Sequence, residues 1–142
     1  MNLMKMLLYI QIQKEIIIMG RYYSGDIEGK FWFGVQNSNA ADRFGVTGVE
    51  PSELYYYFDK ENLETVEAEI EVIEKNLGKY LHLMDRFFAK YEYYTDEQLA
   101  TALGISTSEI ETLLGEYADL RLGRKIRKCI LENEQCEFTA EC

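Results

Sequence analysis

Apolar residues recur at alternating spacings of three and four through Leu63, Val66, Ile70, Ile73, Leu77, Tyr80, Met84, Phe87 and Tyr91. This is the a/d stripe of about four heptads. It predicts a long helix over 62–91, about 43 Å from residue 63 to 91 at 1.5 Å per residue, with Asn62 as its N-cap. The positions flanking the stripe change along its length. Early on they are Glu67, Glu69, Glu74 and Asn76; later they are Leu81, Leu83, Phe88 and Lys90. The second half is therefore expected in the core. The first half carries a narrow seam, Glu67, Glu69, Ile70, Ile73 and Glu74, that suits either core packing or a basic partner. Parallel self-pairing would bring like charges together, which leaves antiparallel oligomers open. Gly78 is the weak point at which this helix can bend.

A second pattern follows in "TDEQLATALGISTSEIETLL", residues 95–114. Thr95 with Gln98 and Ser106 with Glu109 both fit the capping-box spacing, so two helices are expected to start there. Gly104 supplies the left-handed residue of the turn between them. Leu99, Ala100, Leu103, Ile105, Ile110, Leu113 and Leu114 form the shared apolar side. The spacing of Ala100, Gly104, Ile110 and Leu113 resembles the helix-turn-helix family. In that family the second helix reads bases from its N-terminal end. The matching positions here are Ser106, Thr107 and Ser108, followed by Glu111 and Thr112. No Arg or Lys lies between Lys90 and Arg121, so the usual arginine–guanine contact is missing. Cations arrive only afterwards, as Arg121, Arg124, Lys125, Arg127 and Lys128. These are the candidates for phosphate contacts, or for balancing the acidic helix. The helical segment is expected over 95–131.

The chain's ends read as strands. Cys136, Phe138 and Ala140 alternate with Glu137, Thr139 and Glu141, predicting a half-buried strand over 135–141. Lys30 to Gln36 also alternates, with Phe31, Phe33 and Val35 on one face and Trp32, Gly34 and Gln36 on the other. These two strands are expected to pair. Ser24-Gly25-Asp26 and Glu28-Gly29 mark turns. Ser38 or Asn39 can cap a short helical turn through Asp42. Tyr55, Tyr56, Tyr57 and Phe58 form a strand or a helix lead-in. Tyrosines near Arg21, Lys30 and Arg43 could stack on single-stranded nucleic acid, but Asp26, Glu28, Asp42, Glu50 and Glu53 interleave them, which favours core and interface roles. The stretch "RYYSGDIEGKFWFGVQ" resembles the opening of short phage and viral proteins of undescribed function. That resemblance implies no activity and assigns no residue.

The first residues, "MNLMKMLLYIQIQKEIIIMG", are broken by Gln11, Gln13, Lys14 and Glu15. No run reaches the roughly 18–20 apolar residues of a membrane span, and no signal-peptide cleavage site follows. "LLYIQIQ" could add an edge strand. Alternatively, Lys14-Glu15 can be encoded as a ribosome-binding sequence ahead of Met19. Residues 1–18 are then a translated leader and 19–142 the domain.

Composition narrows the function. The chain has 142 residues, 47% of them hydrophobic, which fits one domain with a core. Its net charge is −10, a surface that repels phosphate backbones and favours solubility or basic partners. Three cysteines and one histidine do not match a zinc-ligand set, so neither a metal nor a cofactor is expected. Without a secretory signal the expected compartment is the reducing cytoplasm. No Ser/His/Asp set, Cys/His pair or phosphate-cradling glycine motif is present, and no enzymatic role is expected. The expectation is an α+β fold. A small aromatic-rich sheet packs on a long helix and a helix-turn-helix-like segment, with the C-terminal strand joining the sheet. The leading function is a cytoplasmic protein-interaction module of phage or viral type. The alternative is a nucleic-acid binder using the basic segment.

Overall fold

The computed structural model describes residues 21–32, 34–49 and 53–141. The edge-strand and leader readings of residues 1–18 fall outside them. The fold is α+β: a four-stranded antiparallel sheet packs against four helices. Strand β1 (Tyr22–Gly25) and the short β2 (Gly29–Lys30) form a hairpin, and β3 (Glu53–Asp59) lies at the opposite edge. The last strand, β4 (Gln135–Glu141), runs between β1 and β3, so the sheet order is β2-β1-β4-β3.

The alternation in β4 holds. Cys136, Phe138 and Ala140 are buried while Glu137 and Glu141 are exposed. Phe138 sits opposite Tyr56 of β3, and its ring stacks on Tyr56 at 5.2 Å and on Phe58 at 6.1 Å. Its neighbours differ from the expectation, because β4 pairs with β1 and β3 and not with residues 30–36. The reason lies in Gln36. Its side-chain oxygen accepts from the backbone N–H of Trp32 (3.1 Å), while its own N–H donates back to the Trp32 carbonyl (3.0 Å). These bonds hold Gln36 back against Trp32, and among the described residues strand pairing stops at Lys30. Within that stretch the placing of Phe33 on one strand face with Phe31 and Val35 lies outside the described residues.

The heptad stripe is also real, but it spans two helices. Helix α1 (Leu63–Leu77) ends at Gly78, and α2 (Tyr80–Lys90) continues the stripe. Val66, Ile70, Ile73, Leu77, Met84 and Phe87 are all buried. Gly78 has φ 53° and ψ −126°, a conformation that a Cβ makes costly. A Cβ there would meet only the Lys75 carbonyl, at 3.6 Å, so space is available and the strain is purely conformational. Gly78→Ala is therefore expected to lower stability by about 1–2 kcal/mol. Urea unfolding would measure it, and an unchanged midpoint would show that the break does not need glycine.

Helix α3 (Asp96–Leu103) begins with the expected capping box. Thr95 Oγ1 accepts from Gln98 N at 3.2 Å, and Gln98 Oε1 accepts from Thr95 N at 3.0 Å. Gly104 adopts the left-handed conformation at φ 70°. Helix α4 (Thr107–Asn133) follows. Its own capping box is not formed, because Ser106 Oγ lies 2.9 Å from Ser108 Oγ and caps no backbone N–H. At 27 residues, α4 is about 40 Å long and serves as the spine of the fold. It packs along α1, with Ile110, Leu114, Leu120, Ile126 and Ile130 buried. The basic run Arg121–Lys128 belongs to this helix. No described helix is long and apolar enough to cross a membrane.

Candidate interaction cleft

Where the front turn crosses α4, it leaves a cleft of about 760 Å³. One wall is the turn itself, with Phe31, Trp32, Gly34 and Val35. A second is the end of α2 and the loop beyond it, with Phe88, Tyr91, Glu92 and Tyr94. The floor is one side of α4, including Thr107, Ser108, Glu111, Leu114 and Arg121.

The walls are fixed by polar contacts drawn from distant parts of the chain. Gln36, which folds the turn, donates from Nε2 to Asp119 on α4 at 2.9 Å. Val35 lies against α4 at Gly115, where a Cβ would come within 3.3 Å of its carbonyl oxygen. Asp119 also accepts from Arg43 at 2.9 Å. Arg43 further binds Glu69 at 2.6 Å and Glu116 at 2.9 Å, and Asn76 donates to Glu116 at 3.0 Å. Burial opposes the charge on Arg43, but its bonds to Glu116, Glu69 and Asp119 outweigh that and push its pKa up. Burial likewise opposes ionisation of Glu116, yet Arg43 and Asn76 hold its carboxyl below the usual range. At Asp119 burial wins, and its pKa is raised despite Gln36 and Arg43.

A second network supports the aromatic wall. Asp85 accepts from Arg124 at 2.9 and 3.2 Å and from the Tyr117 hydroxyl at 2.6 Å. The bond from Arg124, helped by that from Tyr117, lowers the Asp85 pKa against the effect of burial. Burial, with Asp85 beside it, pushes Tyr117 up to about 12. The Tyr117 ring stacks on Phe88 at 5.1 Å and meets Trp32 edge-on at 6.2 Å, while Phe88 meets Trp32 at 5.5 Å and Tyr94 at 5.2 Å. Because the folded-state pKa of Asp85 is depressed, its stabilisation is complete above the unfolded carboxylate value of about 3.9 and fades as pH falls through the folded one. Asp85→Asn is therefore expected to be destabilising at pH 7, and to lose stability less steeply than wild type below about pH 4. Urea midpoints at several pH values would test this, and parallel curves would refute it.

The candidate site residues divide. Thr107 and Ser108 reach the cleft, as does Arg121, whose guanidinium lies 5.8 Å from the Trp32 ring centre. Ser106 is exposed beside Ser108. Arg124 is committed to Asp85. Lys125 donates to the Tyr23 hydroxyl and the Glu28 carbonyl, both at 3.0 Å. Arg127 is half-buried, and Lys128 is exposed, 3.9 Å from Glu132. The basic run is thus divided between structural contacts and surface. The acidic seam needs a correction: Ile70 and Ile73 are buried against the rest of the chain and cannot meet a partner. Glu69 is spent on Arg43, Glu74 is half-buried, and of the seam only Glu67 is exposed. Sequence patterning misses the roles of Trp32 and Phe88 in lining the cleft, and of Gln36 and Tyr117 in supporting them. For Trp32 and Phe88 the only local signal is the aromatic density of 30–36 and 87–94.

No family model, curated protein or solved structure matches the chain.

Proposed function

We propose that this protein is a non-enzymatic, cytoplasmic interaction module that uses the cleft to engage a protein partner carrying basic residues. One observation carries the reading. An aromatic wall, held from behind by the Asp85 and Asp119 networks, opens beside Glu92, Asp96 and Glu111, none of which forms a salt bridge among the described residues. Rigid aromatic surface is what anchors protein interfaces, since it buries large area at little entropic cost. The net charge of −10 steers basic partners toward it.

The test is a photo-cross-linking residue placed at Ser108, with a control at Lys128, in lysate of expressing cells. A discrete protein adduct from position 108 alone, lost in Trp32→Ala, is the expected result. Equal labelling from both positions would overturn the reading. Titration with duplex and single-stranded DNA at about 50 and 200 mM salt supplies the opposing arm. Tight binding that weakens steeply with salt, and that Lys128→Glu reduces, would instead favour a nucleic-acid role.

A further inference from the structure

Two of the three cysteines meet at the joint between α4 and β4. Cys129 stands one turn before the end of α4 and is 5% exposed. Cys136 is the second residue of β4 and is fully buried. Between them the chain reverses at Glu134, which holds the left-handed conformation at φ 68°. That reversal brings the start of β4 back against the last turn of the helix. The Cys129 thiol donates to the Gln135 carbonyl at 3.4 Å, the peptide group that leads into Cys136. The Cys136 thiol is hydrogen-bonded to the Cys129 side chain. Asn133 Nδ2 also donates to the Cys129 sulfur, at 3.8 Å. Buried cysteines ordinarily serve as small apolar fillers. Here both are free thiols, and each is a polar partner of the other.

From this juxtaposition we infer that Cys129 and Cys136 are a redox modification site, a dithiol that exchanges with small disulfides of the glutathione class to form one intrachain disulfide across the α4–β4 joint. The exchange starts at Cys129. Burial, helped by Cys129 beside it, pushes the Cys136 thiol well above its ordinary range, which makes it the poorer nucleophile at neutral pH. Cys129 gives its proton to solvent, and its thiolate attacks one sulfur of the small disulfide. One S–S bond forms, one breaks, and a small thiolate leaves and takes up a proton. Cys136 then gives up its own proton and attacks the Cys129 sulfur, and the second small thiol departs. Two protein thiols are oxidised, and one small disulfide is reduced to two thiols. Access comes through the joint. Residues 131–135 are all exposed, so fraying of the last helical turn uncovers Cys129. In a reducing cytoplasm the pair rests as thiols and closes when the pool of small disulfides rises, as redox-sensing pairs do. Neither cysteine lines the cleft, so the exchange is independent of what the cleft binds.

Equilibration of the full chain with oxidised and reduced glutathione at set ratios tests the inference, read by intact mass and peptide mapping. A Cys142→Ser background removes the third thiol. The expected product is lighter by two hydrogens and retains no glutathione. Cleavage after Glu132 and Glu134 should leave its fragments joined until a reductant is added. The bond constrains the unfolded chain, so the oxidised protein should unfold at a urea concentration about 1 M higher than the reduced one. Cys136→Ala should instead keep one glutathione on Cys129 and show no such rise. If that variant fails to fold, the mass and mapping of the two-cysteine chain decide. Glutathione retained on the two-cysteine chain, a disulfide between chains, an unchanged midpoint, or thiols that stay free at the most oxidising ratio even in sub-denaturing urea would overturn the inference.

Discussion

Replacing Arg43 with methionine is expected to cost about 2–4 kcal/mol of stability and to loosen the cleft. Arg43 is the only cation in contact with Glu69, Glu116 and Asp119 among the described salt bridges, and its side chain is 25% exposed. Removing it leaves three carboxylates close together, two of them bonded to little else than Asn76 and Gln36. Breaking a buried pair from one side costs about 3–5 kcal/mol, and the partial exposure here reduces that figure. The loss should depend on pH. Without Arg43, burial of Glu116 and Asp119 is opposed only by the bonds from Asn76 and Gln36, so both bind protons more readily than in the wild-type fold. The deficit is then largest near pH 7 and shrinks as pH falls toward about 4. A deficit constant over that range would mean that only packing was lost. Arg43→Lys should recover only part of the loss, because one ammonium cannot reproduce a fork spread over three carboxylates. Asp119 also holds Gln36, and Gln36 holds Trp32, so the Trp32 emission of the methionine variant should shift to the red before global unfolding.

The features legible in the sequence were those encoded by neighbours. The heptad stripe of Leu63 to Tyr91, the Thr95 capping box and the alternation of β4 each depend on residues a few positions apart. Even Gly78 was visible as a weak point, because a glycine inside a helical pattern forfeits about 1 kcal/mol against alanine and marks where the helix can break. The residues that shape the cleft were hidden for the opposite reason. Arg43 meets partners 26, 73 and 76 positions away, a pairing that spacing cannot reveal. Residues 30–36 misled because alternation is a local signal. It was overridden by a tertiary one: the buried Gln36 side chain, fixed by Asp119, which is 83 positions distant. The acidic seam, open in sequence to core packing or a partner, turns to the core at Ile70 and Ile73. Its isoleucines do form a stripe, but only the position of α4 decides whether a stripe faces a partner or the chain's own core. The apolar pattern of 95–114 likewise marks only its inward residues: Leu99, Ala100, Leu103, Ile110 and Leu114 are buried. Of the outward ones, Thr107, Ser108 and Glu111 line a cleft that the front turn builds, and nothing within 95–114 points to that turn.

Gly123→Ala is expected to destabilise the fold by about 1–3 kcal/mol, although alanine is the better helix former by about 1 kcal/mol. Gly123 lies inside α4 and is buried. In the structure it is where three elements meet. A Cβ there would lie too close to Phe44 Cε1, at 2.7 Å from Phe44 Cζ and 3.2 Å from Ile70 Cγ1. Phe44, in the 3-10 turn Ala40–Phe44, is fully buried, and Ile70 is 2% exposed, so neither has free volume to move into. Interiors packed at crystal-like density transmit such a clash to the backbone instead of absorbing it. The turn that carries Phe44 also carries Arg43, so displacement should reach the carboxylate network and, through Asp119, the cleft. A double-mutant cycle separates this mechanism from a general helix effect. Trimming the ring with Phe44→Leu should itself cost stability, as a large-to-small core change. Combined with Gly123→Ala it should cost less than the sum of the two, since the smaller side chain makes room for the new methyl group. Strict additivity in urea unfolding, or a stabilised Gly123→Ala, would show that the close approach of Phe44 to α4 does not limit the packing there.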